Sequence, residues 1–403
     1  MGGEIVQVGV GSGGLVPVGI EGLLAKIRPE WQARDLIGRV RSLLHVDPSS
    51  ACQRLLNAAI HDLRQKILIA GLDIAAEAAA ANKLPPVNRN EDILEGYSTF
   101  HSLELAYRMG LLDRPEWKRL RRAYEIRRDL EHEDNEYVAE PEDVVYIFRS
   151  AIEIVLSRDP MQLPRVADVK QLVEAPAHVV PSTDFIADYA KAPALRQVEI
   201  ARYLTQISLD SKAADITRQN AVEALRCFAV DTENTVKIEL AKDMEARGTR
   251  RSLSLAEAKV AAAGGFLPYL KQRMTESFLQ ELHKKLEQVG HHWTKHPEHG
   301  AVLDDLEDVG GLVVCPEGIR QKITLWMVLC YIGEPGGYGY YGRNRKVFYS
   351  NSAAHRIERL IEAAGSVVRL DLEHSANDPR VKSALLNPDL NERYQRLPAL
   401  VSK

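Results

Sequence analysis

Arg114-Pro115-Glu116-Trp117-Lys118-Arg119-Leu120-Arg121-Arg122-Ala123-Tyr124-Glu125-Ile126-Arg127-Arg128-Asp129-Leu130-Glu131-His132 repeats its apolar residues on a helical period. Leu120, Ala123, Ile126 and Leu130 fall on one face, the pattern of a helix laid against a core. The charges are sharply divided. From Arg114 to Arg128 there are seven basic residues and two acidic ones, whereas Asp129 to Asp143 holds eight acidic residues and no lysine or arginine. His132 stands at that boundary.

The same periodicity extends to either side. Asp35 to Leu44 places Leu36, Ile37, Val40, Leu43 and Leu44 on one face, and Pro48-Ser49-Ser50 then signals a helix start. A long helix follows, with Leu55, Leu56, Ala59, Ile60, Leu63 and Ile67 at helical spacing, and Pro85-Pro86 ends the alanine-rich stretch after it. A third helix is predicted over Ile93–Met109, a fourth from Arg114 to His132, and a fifth from Pro141. Five helices joined by short connections predict a bundle.

The predicted class is mainly α. Residues 1–20 are expected to be a flexible leader, 21–158 the bundle, and 159–185, with Pro160, Pro164, Pro176 and Pro181, a linker. Residues 186–300 are expected to form a helical middle domain. Arg196-Gln197, Arg218-Gln219 and Arg320-Gln321 each lead into an amphipathic segment, as in a HEAT-like repeat, although their intervals of 22 and 102 residues are unequal. Residues 301–403 form a small mixed or irregular C-terminal region, expected to sense or interact. Short apolar runs there, Gly311-Leu312-Val313-Val314 and Val367-Val368-Arg369-Leu370, fit either strands or a helical cap.

Composition narrows the function. The 403 residues carry a formal charge of −4, so a polycationic, tail-driven nucleic-acid binder is excluded and any basic surface is local. Cys52, Cys227, Cys315 and Cys330 are scattered and form no C-x-x-C pair, which argues against a disulfide scaffold or cysteine zinc site and predicts a reducing cytoplasm. No secretory leader and no membrane span is expected. Gly9, Gly11 and Gly14 spell G-x-G-x-x-G, but Pro17 and Gly19 follow where a helix would have to start, so a dinucleotide cradle is not expected.

The boundary residues form a coherent chemical set. Cleaving RNA requires a proton to leave the ribose 2′-OH, another to reach the 5′-oxygen, and charge on the phosphorane to be held. An imidazole exchanges protons near neutral pH. A guanidinium stays charged and matches phosphate oxygens in a two-pronged fashion. Asp129 is placed to orient either group. One histidine does not readily serve as both acid and base, so a second copy of the chain is expected.

Arg127-Arg128-Asp129-Leu130-Glu131-His132, late in a five-helix segment, resembles the R-x(4–6)-H motif of the HEPN superfamily. The likeness covers roughly residues 30–158. It implies a helical bundle that dimerises with both motifs at the interface, and a metal-independent endoribonuclease leaving a cyclic phosphate, of the toxin or anti-phage kind. No cofactor or metal is implied. Arg127 fits the family spacing; Arg128 shares a face with His132 at i,i+4. Arg128 stands where the family usually has Asn, Asp or His after the motif arginine. Arg127, Arg128, Asp129 and His132 are therefore the candidate catalytic residues, with Arg121 and Arg122 as RNA contacts.

A second candidate is the glycine- and tyrosine-rich stretch around Tyr338, Tyr340, Tyr341, Arg343, Arg345 and Lys346. Aromatic rings stack on bases and cations hold phosphates, but the same residues suit a protein partner or a plain hairpin. A protein trigger or antitoxin at the C-terminal half fits this layout. The third candidate, His291, His292, His296, Glu298 and His299, has metal-ligand types, but Pro297 is expected to break the helix that would align them, and a loop is predicted. Two functions follow: a ribonuclease effector restrained by its C-terminal half, or a non-catalytic dimeric interaction or nucleotide-binding protein whose helical scaffold takes a protein partner.

Overall fold

In a computed structural model, residues 19–32, 34–131, 139–247, 252–338 and 344–401 are described. Among them are 21 α-helices and one two-stranded sheet, so the chain is mainly α. It divides into two units, Met1–Arg165 with Lys191–Arg196 and Val166–Ala190 with Gln197–Lys403.

The first unit holds α1 (Ile20–Leu24), α2 (Pro29–Gln32), α3 (Leu36–Leu44), α4 (Pro48–Ala70), α5 (Leu72–Ala81), α6 (Thr99–Arg108), α7 (Arg114–Glu131) and α8 (Pro141–Ala151). Its axis is α4, against which α3, α5, α6, α7 and α8 all pack. The sequence explains where α4 starts: Pro48 occupies the first turn and the Asp47 carboxylate accepts from the Ser50 amide at 3.0 Å. It stops at Gly71, whose φ of 136° takes the backbone out of the helix. Being surrounded, α4 buries Leu55, Leu56, Ala59, Leu63 and Ile67 almost completely.

It also buries charge. Asp62 accepts from the Arg28 guanidinium and, at 3.0 Å, from the Trp31 indole. Lys66 Nζ lies 3.0 Å from the other Asp62 oxygen and donates to the Val155 carbonyl at 2.5 Å. The Arg28 amide donates to the Leu156 carbonyl at 3.1 Å. One buried carboxylate thus joins the N-terminal turns, the middle of α4 and the end of the fifth helical segment.

The helix expected over Ile93–Met109 is instead two elements. A π-turn, Asp92–Gly96, gives way to extended Tyr97, and Ser98 caps α6 by accepting from the His101 amide at 3.2 Å. Arg64 of α4 fixes the break, donating to the Leu94 and Tyr97 carbonyls and to the Ser102 hydroxyl. A hydrophobic period alone does not register such a break, because its cause comes from another helix.

The second unit contains α9 (Val166–Val173), α10 (Thr183–Lys191) and α11 (Ala194–Ser208) apart from their residues 191 and 194–196, which belong to the first, then α12 (Asp215–Phe228), α13 (Asn234–Arg247), α14 (Leu255–Ala263), α15 (Gln272–Val289), α16 (His296–Asp308) and α17 (Glu317–Ile332). The hairpin β1 (Glu334–Tyr338) and β2 (Asn344–Phe348) follows, then α18 (Asn351–Ala364), α19 (Arg369–Asn377), α20 (Pro379–Leu385) and α21 (Pro388–Val401). The stretch read as a linker carries α9, whose Val169 and Val173 are fully buried. Its prolines flank that helix and do not interrupt it. The three Arg-Gln pairs do different work. Gln197 is buried, donating to the Tyr189 carbonyl and accepting from the Glu233 amide, whereas Arg320 pairs with buried Asp371 at 2.6 Å.

α17 is the hub of the C-terminal part, packed by α15, α18, α19, α20 and α21. Its run from Trp326 to Ile332 is buried throughout, as a helix covered on all sides requires. The apolar runs at 311–314 and 367–370 are not strands: the first is turn, and the second is a 3₁₀ turn leading into α19. Such short runs have too few residues for their period to tell strand from helix. Gly333, with φ of 74°, lets the chain leave α17 for β1. A Cβ there would lie 2.2 Å from the Phe348 carbonyl. No helix among the described residues is long and apolar enough to cross a membrane.

Removing the buried carboxylate tests the first unit's architecture. Asp62→Ala leaves Lys66 as a buried cation without its carboxylate and Arg28 with only the exposed Glu30, at 3.2 Å, and should destabilise that unit by about 3–5 kcal/mol, read from its urea transition. An unchanged midpoint would show that the network is not structural.

Candidate functional site

α7 forms as its pattern predicts. Leu120 and Ala123 are fully buried and Ile126 nearly so. The Glu116 amide donates to the Asp113 carboxylate at 2.7 Å, and the Glu116 carboxylate accepts from the Asp113 amide at 3.0 Å. The charged residues divide by their angle from the apolar stripe. Arg127, near its edge, is half-buried, with Nε closed to solvent. Arg128 and Asp129 are exposed. His132 lies outside the described residues, so the motif is described here only as far as the end of α7.

The basic residues upstream are not equivalent. The Arg121 guanidinium covers the rings of Phe100 and Trp117, at 5.2 and 5.4 Å from their centres, and Trp117 stacks on Tyr107. Arg121 is thus part of an aromatic cluster as well as a surface cation. Arg122 is exposed, and both arginines share Glu125, at 3.5 and 3.7 Å. Exposed pairs of this kind contribute little stability and yield readily to a stronger anion.

A cavity of about 720 Å³ lies between α7 and α8. Arg119 enters it from α7; Glu142, Val145, Tyr146, Arg149 and Glu153 line it from the other side. Arg119 approaches Glu153 at 3.8 Å, and Lys26 approaches the same carboxylate at 3.4 Å. The sequence contained a signal for this wall. Residues 142, 145, 146, 149 and 153 recur on a helical period beside the apolar stripe of α8. Only the partner helix shows that this stripe faces a hollow.

The tyrosine-rich stretch is a hairpin. Tyr338 pairs with Asn344 and Gly337 with Arg345 in an antiparallel register. Tyr340, Tyr341 and Arg343 lie outside the described residues. Tyr338 is 84% exposed, free to stack on a flat partner. Lys346 projects into solvent with Asp389 at 3.7 Å, and Arg345 is exposed. The neighbouring Arg393 is held within the fold. It lies 3.7 Å from the centre of the Tyr349 ring and donates to the Tyr331 carbonyl at 2.8 Å.

The histidine stretch does not come together as a metal centre; no group of three or more His, Cys, Asp or Glu suited to a metal occurs among the described residues. Pro297 also does not break a helix. It occupies the first turn of α16, where its missing N–H is no loss. The helix turns His299 inward, completely buried, its Nε2 donating to the Gly290 carbonyl at 3.0 Å and its Nδ1 3.3 Å from Cys330 Sγ. Burial pushes the Cys330 thiol up to about 12, so the protonated sulfur can donate to that nitrogen. His292 points the other way, toward Glu334 at 3.1 Å.

Burial also holds His299 below the ordinary histidine range, although the Gly290 carbonyl favours its charged form. The same cause lowers His283 and His291. The unfolded chain therefore binds more protons than the folded one just below the free imidazole value of about 6.5. The corresponding stability is full above that pH and is lost as pH falls toward the folded values. The melting temperature of the second unit should drop between pH 7.5 and 5, and His299→Gln, which keeps the donor to Gly290 without titrating, should make that dependence shallower. An equally steep profile in the variant would remove His299 as a cause.

No family model matches the chain, and comparison with curated proteins and with solved structures gives no match.

Proposed function

We propose that this chain is a metal-independent endoribonuclease of the HEPN type, acting as a homodimer and restrained by its C-terminal half. The observation that carries the reading is the end of α7. There, an exposed guanidinium, Arg128, and a half-buried one, Arg127, stand four and five residues before His132 in an R-x-x-x-x-H sequence. Two guanidiniums held at different depths suit one anion: the deeper fixes its position, the outer closes on it.

In this mechanism His132 takes the 2′-OH proton as the oxygen attacks phosphorus. The same residue of a second copy gives a proton to the departing 5′-oxygen. Arg127 and Arg128 hold the charge that builds on the phosphorane, and Asp129 orients them. The P–O5′ bond breaks as the 2′-O–P bond forms, leaving a 2′,3′-cyclic phosphate and a free 5′-OH, with the two protons in balance. Arg122 would carry the approaching strand along the helix.

The purified protein should cut single-stranded RNA in EDTA and leave cyclic-phosphate ends. His132→Ala and Arg127→Ala should each reduce cleavage by about 10²–10⁴-fold with unchanged melting. Mixing His132→Ala protein with the unaltered chain should lower activity beyond simple dilution, because a hybrid dimer would keep only one of the two histidines. Full activity in both single variants would end the assignment and favour the interaction-protein reading.

A further inference from the structure

The first unit carries a groove of about 570 Å³ along α3 and α4, which pack on each other. Helical spacing builds both walls. Residues 50, 53, 54 and 57 share the face of α4 turned away from its buried stripe, and residues 36, 39 and 43 share a face of α3. Trp31 and Arg34, from α2 and the turn after it, complete the lining. Helices packed side by side have axes about 8–10 Å apart, so a groove between them receives one extended strand. A nucleic-acid duplex, whose major groove alone is about 12 Å wide, rides over it.

Three arginines line this groove and no carboxylate does. The hollow between α7 and α8 differs, since Glu142 and Glu153 line it beside Arg119 and Arg149. Arg54 is exposed and has neither an ion pair nor a side-chain hydrogen bond among the described residues. Arg39, also exposed, pairs among them only with Asp35 at 3.7 Å, a loose surface contact. Arg34 is exposed but fixed in place, 4.5 Å over the centre of the Trp31 ring, and Trp31 is anchored in turn on buried Asp62. Asp47, at the start of α4, is committed to the amide and hydroxyl of Ser50. Gln53 and Asn57 add amide side chains that have no hydrogen-bond partner among the described residues.

The groove also opens toward the right part of the bundle. α7 and α8 run antiparallel, with Glu116 against Arg158 and Arg119 against Glu153, so the end of α7 meets the start of α8. Ala139, just before α8, donates its amide to Ser49 Oγ at 3.1 Å. The Ser50 end of the groove and Arg128 are therefore at the same end of the bundle. We infer that this groove holds a stretch of single-stranded RNA outside the cleavage site, its phosphates at Arg39 and Arg54 and its bases against Arg34, Gln53 and Asn57. A strand carries a charge at every nucleotide, which suits a row of guanidiniums free of carboxylates. Base edges set donor and acceptor side by side, as an amide does, and bases stack on guanidinium planes. An acidic peptide would satisfy the arginines and leave the two amides without a matching partner. The inference takes its ligand from the ribonuclease reading but concerns binding away from the bond that is cut.

Fluorescence anisotropy of a labelled, mixed-sequence RNA strand tests it, using the full chain with His132→Ala so that the strand stays whole. Adding Arg39→Gln and Arg54→Gln together should weaken binding by about tenfold or more and lower the slope of log affinity against log salt by about 1.4, two phosphate contacts at about 0.7 each. Both residues are exposed, and an unchanged melting temperature will show that the variant folds. Arg89→Gln, at an exposed arginine of the same unit outside the groove, should leave affinity unchanged. Unlabelled strand should compete about tenfold or more better than polyglutamate of equal charge or the matching RNA duplex. Undiminished affinity in the double variant, an equal loss with Arg89→Gln, equal competition by polyglutamate or duplex, or no saturable RNA binding would overturn the inference. A chain that cuts no RNA yet loses affinity through Arg39 and Arg54 would sink the α7 assignment and support the groove.

Discussion

The carboxylate of Asp62 is the fixed point of the first unit. A charge in the middle of a packed helix is tolerated only when its partners are equally well held, and here they come from three parts of the chain. Arg28 and Trp31 reach it from the N-terminal turns, Lys66 from the next turn of α4. Lys66 and the Arg28 backbone then reach on to the carbonyls of Val155 and Leu156, where the fifth helical segment ends. A purely apolar contact would let these helices slide by small amounts. Directional bonds to one buried oxygen pair set their register, and with it the positions of α7 and α8, which pack on the same axis.

That register gives α7 its chemical character. Its apolar stripe is taken up by the core, so the remaining residues are graded by angle: Arg127 sinks at the edge, while Arg122 and Arg128 stay in water. The helix thereby offers guanidiniums at two depths within consecutive residues. Arg121 shows how environment separates residues of one type, because its cation is spread over Phe100 and Trp117 while its neighbour Arg122 is simply exposed. A cation lying on aromatic rings keeps its charge but loses freedom, which makes it a poorer flexible contact for a strand and a better wall.

The second unit puts its polar residues to other uses. His299 is a core residue whose two nitrogens are both engaged, and Tyr189 stacks on Phe228 while its hydroxyl meets Thr232 at 2.9 Å. Asn220 gathers the irregular chain after α9, accepting from the Val179 amide and donating to the Ala177 carbonyl. These buried groups are satisfied, as interiors require.

By itself the sequence determined the mainly helical class, the starts of α3, α4, α7 and α8, and the apolar faces that α4 and α7 bury. Caps, prolines and period act within one or two turns, so they are written where they operate: Asp47 before Pro48, Asp113 with Glu116, Leu120 to Leu130. The R-x-x-x-x-H string was equally visible, because it needs only spacing along the chain. Only the tertiary structure decided the break at Tyr97, the inward turn of His299, the different depths of Arg127 and Arg128, and the hollow between α7 and α8. Each of these depends on what a second element places opposite: Arg64 against the break, Cys330 against the imidazole, Arg119 against α8. Burial and pairing are properties of two surfaces, and one segment of sequence describes only one of them.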